Sequence, residues 1–270
     1  MAHSGQSAMS ASASSPTRLP LRLGAFLVLA AIVSVGRAAA APANGSLLDA
    51  LIQWAPIIFR GFLLNLLVSV LAMTIGTMLG VGLGLLLSSL LTPLRRAAWV
   101  VTQFFRNAPW LVLLFYCMFL LPFEFHIFGL TVPLPDWMKA TIGLALPVMA
   151  NVAEIVRGAV QSIDYGQWEA AKALSLKRGQ TWRLIILPQC VKRMLPPWMS
   201  LYAVLTMATP LISIVGVQDA MAMVRAALSA DGRPELLIPI YLMLLGWFFL
   251  YCYPIARWTQ ALERRYALLT

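Results

Sequence analysis

Long apolar stretches recur along this chain, and they constrain its fold more than any other feature of the sequence. Backbone groups inside a bilayer have no water to bond, so only helices and closed barrels can cross it. A helical crossing needs about 20 consecutive apolar residues. The stretches are continuously apolar, whereas the strands of a membrane barrel alternate apolar and polar residues. The pattern therefore predicts an all-α, polytopic helical membrane protein.

Five core transmembrane helices are expected within a membrane domain that covers residues 57–265. In chain order, the predicted spans lie within 57–91 and at about 99–121, 137–163, 197–217 and 236–258. The composition agrees with a membrane protein, because 60% of the residues are hydrophobic and only 11% are charged. In a soluble chain about a quarter of the residues are charged.

The net charge of +10 would suggest nucleic acid in a soluble protein. In a membrane protein, Lys and Arg instead accumulate in the cytoplasmic loops. We therefore expect a lipid membrane and no nucleic acid as partner. Cys117, Cys190 and Cys252 lie in or beside apolar segments without metal-ligand spacing, so they are predicted to be packing residues.

The first 42 residues differ from the rest. Residues 1–20 are rich in Ser and Ala and are predicted to form a disordered cytoplasmic tail. Residues 21–42 join basic residues, a short apolar run and an alanine run. Both a retained N-terminal transmembrane helix and a cleaved signal peptide fit that pattern.

The distribution of basic residues predicts one orientation. One side receives twelve of them: Arg95, Arg96, Arg106, Lys172, Lys177, Arg178, Arg183, Lys192, Arg193, Arg257, Arg264 and Arg265. The opposite side of the membrane domain receives Arg60, Lys139, Arg225 and Arg233. The positive-inside bias therefore places the C-terminus and the loop at residues 164–190 in the cytoplasm.

Gly76, Gly80 and Gly84 are spaced four apart in the first core span. This spacing places them on one helical face, where a neighbouring backbone can approach closely.

The longest polar segment runs over residues 164–188. Residues 167–174 are predicted to form a short helix on which Trp168, Ala171 and Leu174 share an apolar face. A second short helix is expected from Gly179 to Leu187, ending at Pro188. Small alanines, an aromatic anchor and Glu169 suit docking into a groove on another protein. A loop resting on the membrane surface fits the same physics.

The spacing within this segment resembles the EAA loop of the permeases of bacterial ABC importers. The matching residues are Glu169, Ala170, Ala171, Ile185, Leu187 and Pro188, while Ser175 stands where the pattern has Gly. Flanking stretches at 153–159, 105–109 and 213–217 resemble the polar amino acid permeases of the histidine, glutamate and arginine uptake type. The resemblance covers roughly residues 61–265.

The resemblance implies the fold of a type I importer permease and a set of partners. These are a cytoplasmic ABC ATPase dimer, a second permease subunit in a homo- or heterodimer, and a periplasmic amino-acid-binding protein in the bacterial inner membrane. The coupling loop would comprise Trp168, Glu169, Ala170, Ala171, Leu174, Ser175, Ile185, Leu187 and Pro188.

ATP hydrolysis and its cofactors are expected on the partner ATPase and not on this chain. The sequence has no Gly-x-x-x-x-Gly-Lys-Ser/Thr loop, so ATP and Mg would be used by the partner ATPase. We expect this chain to hold no catalytic residue, metal or cofactor of its own. One departure is informative: the family often has Lys-Asp-Thr-Ser where residues 207–210 read Met-Ala-Thr-Pro. The partner permease would then carry the main substrate site.

Polar residues within the spans suggest a translocation path or gate. Glu154 and Arg157 could form a gate or a simple i,i+3 ion pair. Thr206, Thr209 and Ser213 could line a polar path or bond to their own helix carbonyls.

Two other classes of membrane protein compete with the importer. An ion-coupled secondary transporter predicts internal repeats and a coupling carboxylate, and Glu154 is the candidate carboxylate. A membrane enzyme would need clustered His, Asp or Glu, and this chain has two His in all.

Overall fold

The computed structural model describes residues 46–127 and 130–267. The chain divides into two units, Met1–Ala50 and Leu51–Thr270. In the described part of the first unit, Ser46 Oγ accepts from the Asp49 N–H and so caps the helix that starts at Leu47. The predictions for residues 1–20 and 21–42 lie outside the described residues.

Helices dominate the described residues. The bounds of the α-helices are α1 Leu47–Leu87, α2 Thr92–Asn107, α3 Trp110–Leu120, α4 Asp136–Gln161, α5 Tyr165–Ala173, α6 Arg178–Thr181, α7 Leu187–Ala208, α8 Ala220–Asp231 and α9 Leu237–Ala267. A π-helical turn Trp182–Ile186 joins α6 to α7, and 3₁₀ turns occupy Thr209–Ser213 and Pro234–Leu236. The prediction of an all-α membrane fold is confirmed.

One antiparallel hairpin interrupts the helices. Strand β1, Glu124–Ile127, pairs with β2, Leu130–Pro133, with Glu124 opposite Pro133. It joins α3 to α4.

The helix α4 is the centre of the helical packing. It contacts α2, α3 and α7, and α7 in turn contacts α9. Within residues 46–127 and 130–267, four helical segments are long and apolar enough to cross a membrane, and the one formed by α4 is the most buried. Its residues Leu144, Val148 and Val152 are fully buried in the main apolar cluster. The residues that α4 carries are therefore held from three sides.

The second predicted span is not one helix. It is divided into α2 and α3, and Ala108 and Pro109 between them have extended backbone angles. The cause is steric, because a proline ring disfavours helical geometry in the residue before it. Asn107 Nδ2 donates to the Gln103 carbonyl across the end of α2 at 2.7 Å. The prediction of a continuous helix over 99–121 was wrong at this point.

Lys139 is a charged residue that is buried at the start of α4. Its side chain is 0% exposed in the first turn of α4. The ammonium lies 3.4 Å from the centroid of the Phe123 ring and 3.8 Å from Asp136 Oδ1. A cation over an aromatic face is stabilised electrostatically, so this contact holds the residues before the hairpin onto α4.

The glycine stripe of α1 packs against α4, as its spacing predicted. A Cβ at Gly80 would stand 2.6 Å from the Met149 carbonyl oxygen, and one at Gly76 would stand 2.5 Å from Val148. A Cβ at Gly84 would lie 2.6 Å from Val156. Without a hydrophobic force between helices in lipid, such close backbone approach is what makes dispersion contacts effective.

Gly80 and Gly82 provide a matched pair of substitutions. We expect Gly80→Ala to destabilise the protein by about 1–3 kcal/mol, because the added methyl overpacks a backbone contact. Nothing lies within 4 Å of a Cβ at Gly82, so Gly82→Ala should be neutral or stabilising by about 0.5–1 kcal/mol. Thermal unfolding of the two purified variants measures the difference, and equal unfolding temperatures would contradict the packing described.

Candidate functional site

The short helix α5 begins where the sequence supplies a cap. Asp164 Oδ1 accepts from the Gly166 N–H at 2.8 Å, which satisfies one of the free donors at the start of the helix. The helix then runs for nine residues, Tyr165–Ala173. It starts two residues before the predicted position of 167.

One face of α5 is fixed to the rest of the chain. Ala171 is only 1% exposed, and Trp168 is half-buried. The Trp168 ring meets the Trp182 ring edge-to-face, with 5.6 Å between the centroids, a favoured aromatic geometry. Beneath this pair lies a buried apolar cluster of Ala159, Ile163, Ile186 and Cys190.

The opposite face of α5 is free among the described residues. Glu169 and Ala170 are exposed, and Tyr165 and Leu174 are 67% and 70% exposed. The predicted docking set is therefore divided by the structure. Trp168 and Ala171 pack inward, whereas Glu169, Ala170 and Leu174 remain available to a partner.

The turn after α5 has the geometry expected at the glycine position of the EAA pattern. Ser175 has a φ of 53°, in the left-handed region that glycine adopts readily and other residues adopt at a cost. The Ser175 N–H bonds to the Lys172 carbonyl at 2.9 Å, and the Leu176 N–H bonds to the Ala171 carbonyl at 3.1 Å. These two bonds form a Schellman motif, which ends the helix and satisfies its last carbonyls.

The second half of the segment continues into a membrane span. A short helix α6 passes into the π-helical turn Trp182–Ile186 and then directly into α7. The prediction that Pro188 ends a short helix was wrong. A proline lacks an N–H and crowds the carbonyl four residues earlier, and here that carbonyl belongs to Leu184 in the wider π turn.

The remaining members of the predicted set lie around this junction. Ile185 is half-buried beside the apolar cluster, while Leu187 and Pro188 are exposed. Gln189 Nε2 on α7 donates to Gln167 Oε1 on α5 at 3.3 Å. A guanidinium nitrogen of Arg193, also on α7, donates to the Ser162 carbonyl. One polar bond thus joins α7 to α5, a second joins α7 to the residue that follows α4, and the tryptophan pair joins α5 to the turn that leads into α7.

Glu154 and Arg157 form an ion pair on α4 that also reaches α2. Arg157 donates from Nη2 and Nε to Glu154 Oε2 at 2.7 and 2.9 Å. Arg106 Nη1 on α2 lies 3.9 Å from the same oxygen, and Gln103 Nε2 donates to Glu154 Oε1 at 3.4 Å. The pair therefore helps to join two helices.

Thr206, Thr209 and Ser213 are buried, and each hydroxyl donates within its own segment. Their acceptors are the carbonyls of Tyr202 at 2.9 Å, Thr206 at 2.8 Å and Pro210 at 2.8 Å. Of the two alternatives, a polar path or hydrogen bonds to carbonyls of their own helix, this conformation shows the hydrogen bonds.

Comparison with known proteins bears directly on the identity of the chain. Residues 76–268 match the family model described as the binding-protein-dependent transport system inner membrane component. A probable amino-acid ABC transporter permease protein, YckA of Bacillus subtilis, is 32% identical over 216 residues, which are 80% of this chain and 92% of YckA. The chain belongs to the family of binding-protein-dependent inner-membrane transport components.

Further relatives agree. A probable glutamine ABC transporter permease protein, GlnP of Bacillus subtilis, is 29% identical over 77% of this chain and 93% of its own length. A crystal structure of an amino acid ABC transporter with histidines matches with a TM-score of 0.71 and 26% identity, over 83% of this chain and 100% of that chain. The MetNI methionine ABC transporter, at 19% identity and a TM-score of 0.60, shares the fold.

These likenesses confirm the type I importer permease fold and a multi-pass inner-membrane protein. They give no support to an ion-coupled secondary transporter. Four of the five predicted core spans correspond to α1, α4, the helix from α6 through α7, and α9, while the remaining predicted span falls on the divided pair α2 and α3.

Sequence reasoning missed one buried polar cluster of the permease. Asn65 of α1 donates from Nδ2 to Asp219 Oδ2 at 3.0 Å and to Thr209 Oγ1 at 3.1 Å. Asn65 Oδ1 accepts from the Ala220 N–H at 3.0 Å. Burial raises the pKa of the Asp219 carboxyl, and bonds from the Ala222 N–H and Asn65 oppose that rise. The signals were an Asn inside an apolar span and an Asp at a helix N-cap.

The same cluster lies at the start of a segment, residues 219–235, whose charged side chains would suit a solvated external loop. Most of these residues instead form α8. Asp219 is fully buried and caps α8 through the Ala222 N–H at 2.9 Å, so it cannot dock a partner in this conformation.

The left-handed turn at Ser175 generates a prediction. We expect Ser175→Gly to stabilise the folded protein by about 1 kcal/mol, because glycine removes the cost of a positive φ. Ser175→Val should destabilise it, since a β-branched side chain fits that region poorly. Thermal unfolding of the purified protein checks both changes. A lower unfolding temperature for Ser175→Gly than for Ser175→Val would contradict the turn geometry.

Proposed function

We propose that the chain is the transmembrane subunit of an ATP-driven importer that carries polar amino acids across the bacterial inner membrane by alternating access. The observation that carries the proposal is the exposed face of α5, on a helix bound tightly to the membrane span α7. The chain itself performs no catalysis. ATP and Mg are bound by a separate cytoplasmic ATPase dimer.

The docking surface for that ATPase is the exposed side of α5, formed by Tyr165, Glu169, Ala170 and Leu174. Exposed Ala170 permits close approach of a groove, and Leu174 offers an apolar contact. Glu169 supplies a carboxylate for a cation of the partner. No ion pair to Glu169 is found within the part of the chain that the structure describes.

The bonds beneath α5 support a direct transfer of movement. When ATP binding closes the two ATPase subunits, each carries its α5 with it. Trp168 presses on Trp182, and Gln167 is bonded to Gln189, so α7 follows. Because α7 packs on α4 and α9, the spans switch between two packed arrangements rather than bending continuously.

The orientation follows from charge. Exposed cations surround α5 along the loop and the start of α7, including Lys172, Lys177, Arg178, Arg183 and Lys192. The positive-inside tendency favours the cytoplasm for this side, which is also where an ATPase must bind. The C-terminus lies on the same side in this proposal.

The substrate class is inferred from relatives whose names specify amino acids. A periplasmic binding protein delivers the amino acid, in keeping with the family description. A second permease subunit completes the path, as a homo- or heterodimer. Met207-Ala208-Thr209-Pro210 brings no charged group to the end of α7, and this favours a partner permease that holds the main substrate site.

The test uses the permease reconstituted with its ATPase and binding protein. Amino acids that the binding protein delivers should stimulate ATP hydrolysis, with the pattern across an amino acid panel defining the substrate. Glu169→Lys should abolish both stimulation and co-purification of the ATPase, because it places a cation on the docking face.

Glu263→Lys is the matched control, since it makes the same charge change at another exposed glutamate. It should leave stimulation near the wild-type level. Full stimulation by Glu169→Lys would contradict docking through α5. Uptake that persists without ATP and collapses with the proton gradient would contradict the importer itself.

A further inference from the structure

A cavity of about 470 Å³ opens where three membrane helices end. Leu87 is the last residue of α1, Gln161 is the last residue of α4, and Arg95 and Arg96 lie near the start of α2. The cavity is lined by Leu87, Arg95, Arg96, Trp99, Gln103, Arg106, Glu154, Arg157 and Gln161. It lies at the same end of α4 from which the chain continues to α5.

The charges of the lining do not balance. Four guanidinium groups face one carboxylate, that of Glu154. That carboxylate is already bonded to Arg157, and Arg106 lies within ion-pair distance. Neither Arg95 nor Arg96 forms an ion pair with any residue in the described ranges. Uncompensated positive charge beside a low-dielectric membrane core is energetically costly. A bound anion would lower that cost.

The surroundings have the character of a membrane interface. Trp99 lines the cavity and is 54% exposed, and tryptophan is enriched at the headgroup level of membranes. Three large apolar side chains are exposed just before Arg95, on the turn between α1 and α2 and in the first turn of α2. They are Leu90, Leu91 and Leu94. A ligand with an anionic head and apolar chains would contact both kinds of surface at once.

We infer that this cavity binds the headgroup of an anionic phospholipid, with Arg95 and Arg96 holding its phosphate and Trp99 beside its glycerol region. Guanidinium groups bind phosphate oxygens through two parallel hydrogen bonds. A basic pocket between membrane helices is a known form of lipid recognition. The site would bind a lipid of the membrane and not a transported solute. The inference therefore does not depend on the proposed amino acid substrate.

Native mass spectrometry of the full-length protein, titrated with phosphatidylglycerol or phosphatidylcholine in detergent, tests the site. Phosphatidylglycerol should bind preferentially. Arg95→Gln/Arg96→Gln should weaken its binding roughly 30-fold, because each basic residue near an anionic surface contributes about a factor of five. The single variants should each lose about fivefold. Both side chains are exposed, so folding should be unaffected.

Two control variants separate charge at this site from charge in general. Arg95→Lys/Arg96→Lys keeps the charge and should retain most of the binding. Arg264→Gln removes an exposed arginine of α9 that does not line the cavity, and it should bind phosphatidylglycerol as the wild type does.

Several results would overturn the inference. Wild-type binding by Arg95→Gln/Arg96→Gln would do so, as would equal affinity for phosphatidylcholine. Displacement of phosphatidylglycerol by millimolar inorganic phosphate would reveal a site for free anions. Displacement by L-glutamate would identify it with the transport path instead.

Discussion

The contact between Trp168 and Trp182 is the interaction on which the functional part of the structure depends. It fastens a nine-residue helix to the start of a membrane span, with Ala171 and Ile186 buried alongside. An isolated helix of this length has marginal stability in water, so its stability must come from packing. The inward face of α5 provides that packing, and this leaves only the outward face for a partner.

The same division bears on the two adjacent alanines of α5, Ala170 and Ala171. Ala171 allows the helix to lie close against the chain beneath it, while the exposed Ala170 would let the proposed ATPase partner lie close above it. In the proposed complex, two adjacent alanines would therefore serve two different contacts. Further into the membrane, the stripe at Gly76, Gly80 and Gly84 allows comparable closeness between α1 and α4. For α1 and α4, which pack in lipid without a strong hydrophobic force, such close approach makes the dispersion contacts effective.

Much of the fold could be predicted from the sequence, because span length and apolar continuity are set by the bilayer. The polar loop and its first helix followed from polarity and periodicity, and the turn falls at Ser175, where the EAA pattern has Gly. The break at Ala108 and Pro109 was missed, although the effect of proline on the preceding residue was a usable signal. The prediction of a single helix rested on the continuous apolar pattern and did not take the proline into account.

Other features lay beyond sequence reasoning. Whether Trp168 faces a partner or its own chain depends on Trp182, fourteen residues later, and periodicity within α5 carries no information about that distant residue. The π turn before Pro188 is a response to local crowding, which depends on three-dimensional packing. Asp219 caps α8 and binds Asn65 across 154 residues, a pairing that only the tertiary fold specifies.

The central claim is that α5 and α7 move as one body during the transport cycle. Spin labels at Lys172→Cys and Lys192→Cys, both exposed, would report the distance between them in the reconstituted complex, with labelled subunits diluted by unlabelled ones. The native cysteines are buried, which limits background labelling. The account predicts the same distance distribution in the nucleotide-free and ATP-trapped states. A clear shift between the two states would show that α5 moves independently of α7, and would contradict the account.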